Sequence, residues 1–220
     1  MVVSRRRAYR PASSARSTAS DRAGRCRDIV LALIALVFLL PMLVAIALLI
    51  MLANPGPPFF AQTRIGRGGR SFRCYKFRTM AVDAERRLQE HLRDEPMWRE
   101  WATNHKLRRD PRVVGVGNLL RRASLDELPQ LLNVLRGDMS LVGPRPISAA
   151  EVGRYGRYFA TYCRVQPGLT GLWQVSGRNL LPYRRRVALD ITYVRSRSLL
   201  LDWRILLVTV PSMVLRRGAY

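Results

Sequence analysis

Hydrophobic positions divide the 220-residue chain into stretches of different texture. Residues 1 to about 27 hold Arg, Ser and Ala with almost no large apolar side chain, the composition of a disordered basic tail. From Ile29 to Ala53 no residue is charged. This run of about 25 residues makes a helix about 37 Å long, against about 30 Å of bilayer hydrocarbon. It is too long, and its basic leader too long, for a secretory signal. Pro41, at its middle, removes one helical hydrogen bond and pushes Leu40 from helical angles. The pattern therefore predicts a membrane helix over 28–54, broken at Pro41. Asn54-Pro55-Gly56-Pro57-Pro58 ends it.

Beyond this break the pattern changes period. Two short strands flank the turn Gly66-Arg67-Gly68-Gly69, and alternation places Phe72, Cys74, Lys76 and Arg78 on one face. Residues 81 to about 101 mix acids and arginines around Pro96, a solvated helical scaffold in which Trp98 and Trp101 face the core or a membrane interface. Asp110–Gly117 reads as turn and strand, Gly117–Ala123 as a short helix, and Glu127–Gly137 as a further helix. The C-terminal run Leu199–Arg217 suits a helix lying in a membrane interface with Trp203 at headgroup depth. Asp202 and Arg204 oppose a second span. The expected fold is a small α/β membrane-associated domain over 55–220, with a β-hairpin and interfacial amphipathic helices.

Charge sharpens this picture. Lys and Arg total 38 against 15 acids, a net charge of +23, and only Lys76 and Lys106 are lysines. Arginine binds phosphate through a planar fork and stays charged, so the partners expected are anionic. Arg22, Arg25 and Arg27 precede the apolar run, and Arg64, Arg67 and Arg70 follow it. Positive residues mark the cytoplasmic side. A spanning helix kinked at Pro41 sends one cluster across; a re-entrant helix that turns at Pro41 keeps both inside. Cys26, Cys74 and Cys163 form no CxxC pair, and His91 and His105 are too far apart for a helical metal pair. No helix-turn-helix, zinc spacing or aromatic RNA-binding pattern accompanies the charge, so nucleic acid is not an expected partner.

Within this basic chain stand two adjacent carboxylates, Asp126 and Glu127. One reading is structural. Ser124 and Glu127 have capping-box spacing, but Pro129 then falls too deep in the helix. Asp126 as N-cap places Pro129 where no N–H is required, with Glu127 complementing the helix dipole. The other reading is chemical. A carboxylate among guanidiniums has a lowered pKa and stays ionised, and it attacks phosphorus when positive charge stabilises the phosphoryl oxygens. A second carboxylate can hold Mg2+ beside substrate phosphates.

The ordered blocks Phe60–Gly69, YKFRTM (75–80), DPRV (110–113), LRRASLDELPQLLNVLRGDMSLVGPRP (120–146), PGLTGLWQVSGR (167–178) and LDWRILL (201–207) resemble the bacterial sugar transferases, the monotopic polyprenyl-phosphate phosphoglycosyl transferases. The likeness runs from about residue 29 to the C-terminus, in the family's minimal catalytic form, with the basic tail outside it. It implies transfer of a sugar 1-phosphate from a UDP-sugar to polyprenyl (undecaprenyl) phosphate, with release of UMP, at the cytoplasmic face of a bacterial inner membrane. It makes Asp126 the nucleophile and Glu127 the Mg2+ support. It places Lys76, Arg78, Arg121 or Arg122, and Arg145 near the phosphates, with Arg178 a candidate anion contact. The segment carrying Arg178 also reads as a structural turn with Trp173 in the core. Two positions depart from the family: Leu40 replaces a small polar residue before the central proline, and Gln166 replaces a basic one before PGLTG. A membrane-tethered nucleic-acid binder or a non-catalytic scaffold would fit the charge alone.

Overall fold

The computed structural model describes residues 19–104, 107, 110–113, 115–177 and 180–214. A long helix α1 (Ala19–Ala53) leads into the antiparallel hairpin β1 (Phe59–Ile65) and β2 (Ser71–Phe77). Then come α2 (Ala84–His91), α3 (Glu95–Asn104), α4 (Gly117–Arg122) and α5 (Gln130–Arg136). Strand β3 (Ser140–Val142) pairs in parallel with β4 (Gly168–Thr170), across the short helices α6 (Val152–Tyr155) and α7 (Phe159–Tyr162). Helices α8 (Leu172–Val175), α9 (Tyr183–Ser196) and α10 (Leu199–Val214) complete the fold. The mixed helix and sheet composition and the predicted hairpin are present. Residues 1–18 of the expected tail lie outside the described residues.

The N-terminal expectations need two corrections. Residues 19–27, assigned to a disordered tail, are helical. Tertiary partners order them: both terminal nitrogens of Arg25 donate to the carbonyls of Val134 and Leu135, at the negative end of α5. Arg197 pairs with Asp21 at 2.9 Å. Pro41 does not interrupt the helix, which runs through it to Ala53. Packing on both sides of the proline offsets the lost hydrogen bond. Leu36 and Leu39 meet the core formed by Cys74, Leu131, Val134, Met139, Val142 and Ile205. Met42, Leu43, Ile46 and Ile50 meet Phe77 and Leu120. Asn54, just past the helix, donates to Met80 O at 3.4 Å. Both ends of α1 therefore contact the same domain, while Val37, Phe38 and Leu52 on its outer face stay exposed. Among the described residues it is the one helix long and apolar enough to cross a membrane.

Close backbone approach builds the floor of the cleft. The Gly143 N–H donates to Thr170 O at 2.9 Å, and the Gly168 N–H to Pro144 O at 2.8 Å. A Cβ on Gly143 or Gly168 would lie within 3 Å of backbone atoms of the other segment, so glycine is required at both. The motifs GPRP and PGLTG are thus two sides of one parallel pair.

A buried polar cluster ties α1 to the C-terminal helices. Arg27 bonds both Asp28 and Asp202 at 2.8 Å. Tyr193 Oη donates to Asp202 at 2.7 Å, and Ser140 Oγ to Asp28 at 2.5 Å. Breaking a buried pair strands the surviving charge. Asp202→Ala should lower stability by about 3 kcal/mol, because Arg27 and Tyr193 lose their acceptor. Thermal unfolding of the detergent-solubilised protein tests this; an unchanged midpoint would show that the cluster contributes no net stability.

Candidate active site

The two carboxylates are presented by a tight turn, not by a helix cap. Leu125–Glu127 forms a 3₁₀ turn, and α5 begins only at Gln130, with Pro129 before it and no side-chain cap. The capping reading of Asp126 is therefore overturned. Ser124 is the one non-glycine residue with positive φ among the described residues, at 57°. That left-handed step costs about 1–2 kcal/mol for an L-residue. It turns the chain so that Leu125 packs on the Ile46–Phe77–Leu120 cluster while Glu127 reaches β2.

Lys76 Nζ lies 2.6 Å from Glu127 Oε1, and Arg145 Nη1 lies 3.6 Å from the same oxygen. Arg64, Cys74, Gln130, Pro146, Leu169 and Gln174 help line the cleft around Glu127. Arg121 stands on the Asp126 side, its Nε donating to Thr79 Oγ1 at 2.8 Å. Asp126 itself is half-buried. Burial, reinforced by the neighbouring negative charge of Glu127, raises the Asp126 carboxyl to about 6 against the pull of Lys76, Arg121 and Arg145. Burial would also raise Glu127, but Lys76, Arg145 and the Lys76 hydrogen bond outweigh it and hold Glu127 at about 2. The pair thus divides into one firmly ionised carboxylate and one poised near neutrality. The expectation that arginines would lower the Asp126 pKa is corrected: burial and an adjacent anion win.

Lys76, Asp126, Glu127, Arg121 and Arg145 come together as expected. Arg78 does not join them. Strand β2 ends at Phe77, and the Arg78 guanidinium turns to the Asn54 carbonyl at the end of α1, so alternation no longer governs it. Arg122 is exposed. Pro41 belongs to α1, outside the cleft lining. Arg178 lies outside the described residues. Trp173 is buried, with Arg145 and Arg186 over its ring at 5.9 and 5.1 Å. Gln166, the departure before PGLTG, donates to Gly137 O at 2.7 Å in a structural role.

Arg64 was missed as a site residue and counted only among flanking charges. Its signal lay in the hairpin register. Arg64 faces Phe72 across the strands, and directly paired residues share a face, so Arg64 lies on the face of Lys76. Glu151, which holds Arg64 at 3.1 Å, carried no local signal of its role.

A half-buried carboxylate pair with Lys76, Arg121 and Arg145 around it has the chemistry to act on a phosphate group. Comparison with known proteins gives the class: residues 19–216 match the bacterial sugar transferase family model, and the chain belongs to that family. It is a sugar-phosphate transferase. It is 47% identical to the exopolysaccharide production protein ExoY of Sinorhizobium fredii over 197 residues, 89% of this chain and 87% of that protein. It is 43% identical to the UDP-glucose:undecaprenyl-phosphate glucose-1-phosphate transferase of Caulobacter vibrioides, across 96% of this chain and 77% of that one. An undecaprenyl-phosphate galactose phosphotransferase of Salmonella typhimurium is 49% identical over 166 residues, 75% of this chain and 35% of its own length.

The split pair makes a titration prediction. Carboxyl-carbon NMR of Asp- and Glu-labelled protein should show one dyad step near pH 2 and one near pH 6. Asp126 then gains charge as pH rises through about 6, and loses it below. Lys76→Met removes the main cation on Glu127 and should move the lower step upward. A lower step unmoved in that variant would remove Lys76 as the cause.

Proposed function

We propose that this protein transfers a sugar 1-phosphate from a UDP-sugar to a polyprenyl phosphate through a covalent aspartyl intermediate. The observation that carries this reading is Asp126: half-buried, next to an ionised Glu127, and faced by Lys76, Arg121 and Arg145. In the first step an Asp126 oxygen attacks the phosphorus that bears the sugar. The bond to UMP breaks, and its electron pair leaves with UMP. In the second step a polyprenyl phosphate oxygen attacks the same phosphorus, the Asp126–phosphorus bond breaks, and the carboxylate is regenerated. Lys76, Arg64, Arg121 and Arg145 stabilise the charge that gathers on the phosphoryl oxygens. Burial leaves the Asp126 carboxylate poorly hydrated, and its position near neutrality makes it both available and reactive. The relatives' names, among them glucose and galactose transferases acting with undecaprenyl phosphate, support the substrate class and leave the sugar open.

The site also suits Mg2+. Lys76 occupies one oxygen of Glu127, leaving the other for a hard cation, which commonly takes one or two carboxylates and completes its shell with substrate phosphates. When bound, the ion would neutralise diphosphate charge and polarise the reacting phosphorus.

Wild-type protein given sugar-labelled donor without acceptor should carry the label on the peptide containing Asp126. Labelling should vanish in chelator. Asp126→Asn, similar in size, should fold, take no label, and lose UMP release by about a thousandfold or more. Near-normal turnover of a folded Asp126→Asn protein would end the covalent mechanism.

We further place the domain on the cytoplasmic face of the inner membrane, with both ends of α1 on that side and the helix, continuous through Pro41, bent there rather than broken. The basic flanks support this, as does the contact of both ends of α1 with one charged domain, since a span would carry one end about 30 Å away. Labelling of single cysteines placed in the N-terminal tail and at Tyr220 should report the cytoplasm for both. A tail accessible from outside would mean that α1 spans.

A further inference from the structure

One carboxylate beside the cleft takes no step in the proposed chemistry. Glu151 ends the short turn Ala149–Glu151, and donors meet both of its oxygens. Its Oε2 accepts from the Ser148 N–H and from Ser148 Oγ, each at 2.8 Å, and lies 3.1 Å from Arg64 Nη1. Its Oε1 accepts from Tyr183 Oη at 3.3 Å. Burial would raise this carboxyl, but the Ser148 hydrogen bonds and the charge of Arg64 hold it below the ordinary glutamate range. Glu151 is thus a fixed anion in a fixed place.

Arg64 needs such an anion. It lines the cleft with Lys76, Glu127 and Arg145. Burial and the Arg145 charge both act against its own charge, and Glu151 leads the groups that oppose them. Its other terminal nitrogen donates to Gln62 Oε1 at 2.6 Å, but Gln62 is an exposed neutral side chain on the same strand. Without Glu151, an arginine on this two-stranded hairpin would spread over many rotamers and turn to water. The backbones that carry the pair are clamped independently of it. The Ile65 N–H donates to Ile147 O at 2.8 Å. The Tyr162 hydroxyl donates to Ile65 O at 2.7 Å and accepts from the Ile147 N–H at 3.3 Å. The ion pair therefore gives direction to a side chain on a frame that stands without it.

We propose that Glu151 is a positioning residue of the reaction: tied down by Ser148 and Tyr183, it holds the Arg64 guanidinium at the cleft wall, where the donor phosphates bind beside Lys76 and Arg145. The use made of Arg64 rests on the proposed function; the ion pair that holds it does not. A charged group misplaced by an ångström costs catalysis far more than it costs binding, because the interaction is needed most in the transition state.

The test uses the full-length protein in detergent, with Glu151→Gln, which keeps size and removes charge. In substrate-free protein, phenylglyoxal should modify Arg64 about tenfold faster in this variant, read by peptide mapping. Arg112, comparably shielded and paired with Asp110 at 2.7 Å, should keep its rate, as it would not if the whole fold had loosened. In turnover, measured as UMP release, kcat should fall about tenfold with little change in KM. Placed on an Arg64→Met background, Glu151→Gln should change kcat by less than about twofold, because the two residues act through one contact. An unchanged Arg64 rate in folded Glu151→Gln would overturn the proposal. So would losses that multiply in full on the Arg64→Met background, which would make Glu151 a support of the fold alone. If Glu151→Gln does not fold, Tyr183→Phe decides: it keeps the ring under Arg154, 4.8 Å from its centroid, and should speed Arg64 modification about threefold. If Arg64→Met turns over too slowly to measure, the modification rate decides. Modification needs no turnover, so a failure of the aspartyl mechanism would appear in Asp126→Asn turnover and leave this result standing.

Discussion

The bridge from Arg27 to Asp28 and Asp202 is the constraint on which the arrangement depends. It is nearly inaccessible to water, and its members come from the two ends of the chain. Tyr193 and Ser140 complete its hydrogen bonds. A buried charge pair is seldom a large source of stability, but breaking it is expensive, so it selects one arrangement over others. Here it sets where the uncharged helix begins to lie along the domain. From that point Ala32, Ile46 and Ile50 can bury the inner face of α1 against β2, α4 and α5, while the outer face stays apolar and open.

The same packing makes the cleft. Leu125 is drawn into the cluster beneath α1, and the left-handed Ser124 lets the chain turn sharply enough to expose both following carboxylates. Adjacent carboxylates in a partly dry site cannot both ionise cheaply. Lys76 and Arg145 resolve the conflict by taking Glu127 as a permanent anion. Asp126 is left with the burial and the repulsion, so it carries its proton to higher pH than an ordinary aspartate. One residue becomes an electrostatic fixture and its neighbour a reactive group, through environment alone.

The cations are in turn fixed from behind. Glu151 holds Arg64 and is itself held by Ser148 and Tyr183. Arg145 rides on a turn gripped by β1 and β4. This support costs no reorganisation when a phosphate arrives, which is where preorganised charge is most effective. Arg78 illustrates the alternative: lying past the strand end, it serves the C-terminus of α1 instead.

The sequence by itself determined the elements whose signals are local. The uncharged run of α1, the hairpin around Gly66–Gly69 and the apposition of Asp126 and Glu127 were legible because periodicity, turn residues and adjacency lie within a few positions. Ordered motifs also disclosed the family. Tertiary structure decided the rest, because the deciding partners are distant in the chain. Arg25 and Arg27 turn part of an apparent tail into helix by bonding residues 134, 135 and 202. Packing carries α1 through Pro41 against a local preference for a break. Arg64 enters the cleft through strand register, while Arg78 leaves it one residue past the strand end. The reversal of the Asp126 pKa required burial, a quantity that no count of neighbouring arginines contains.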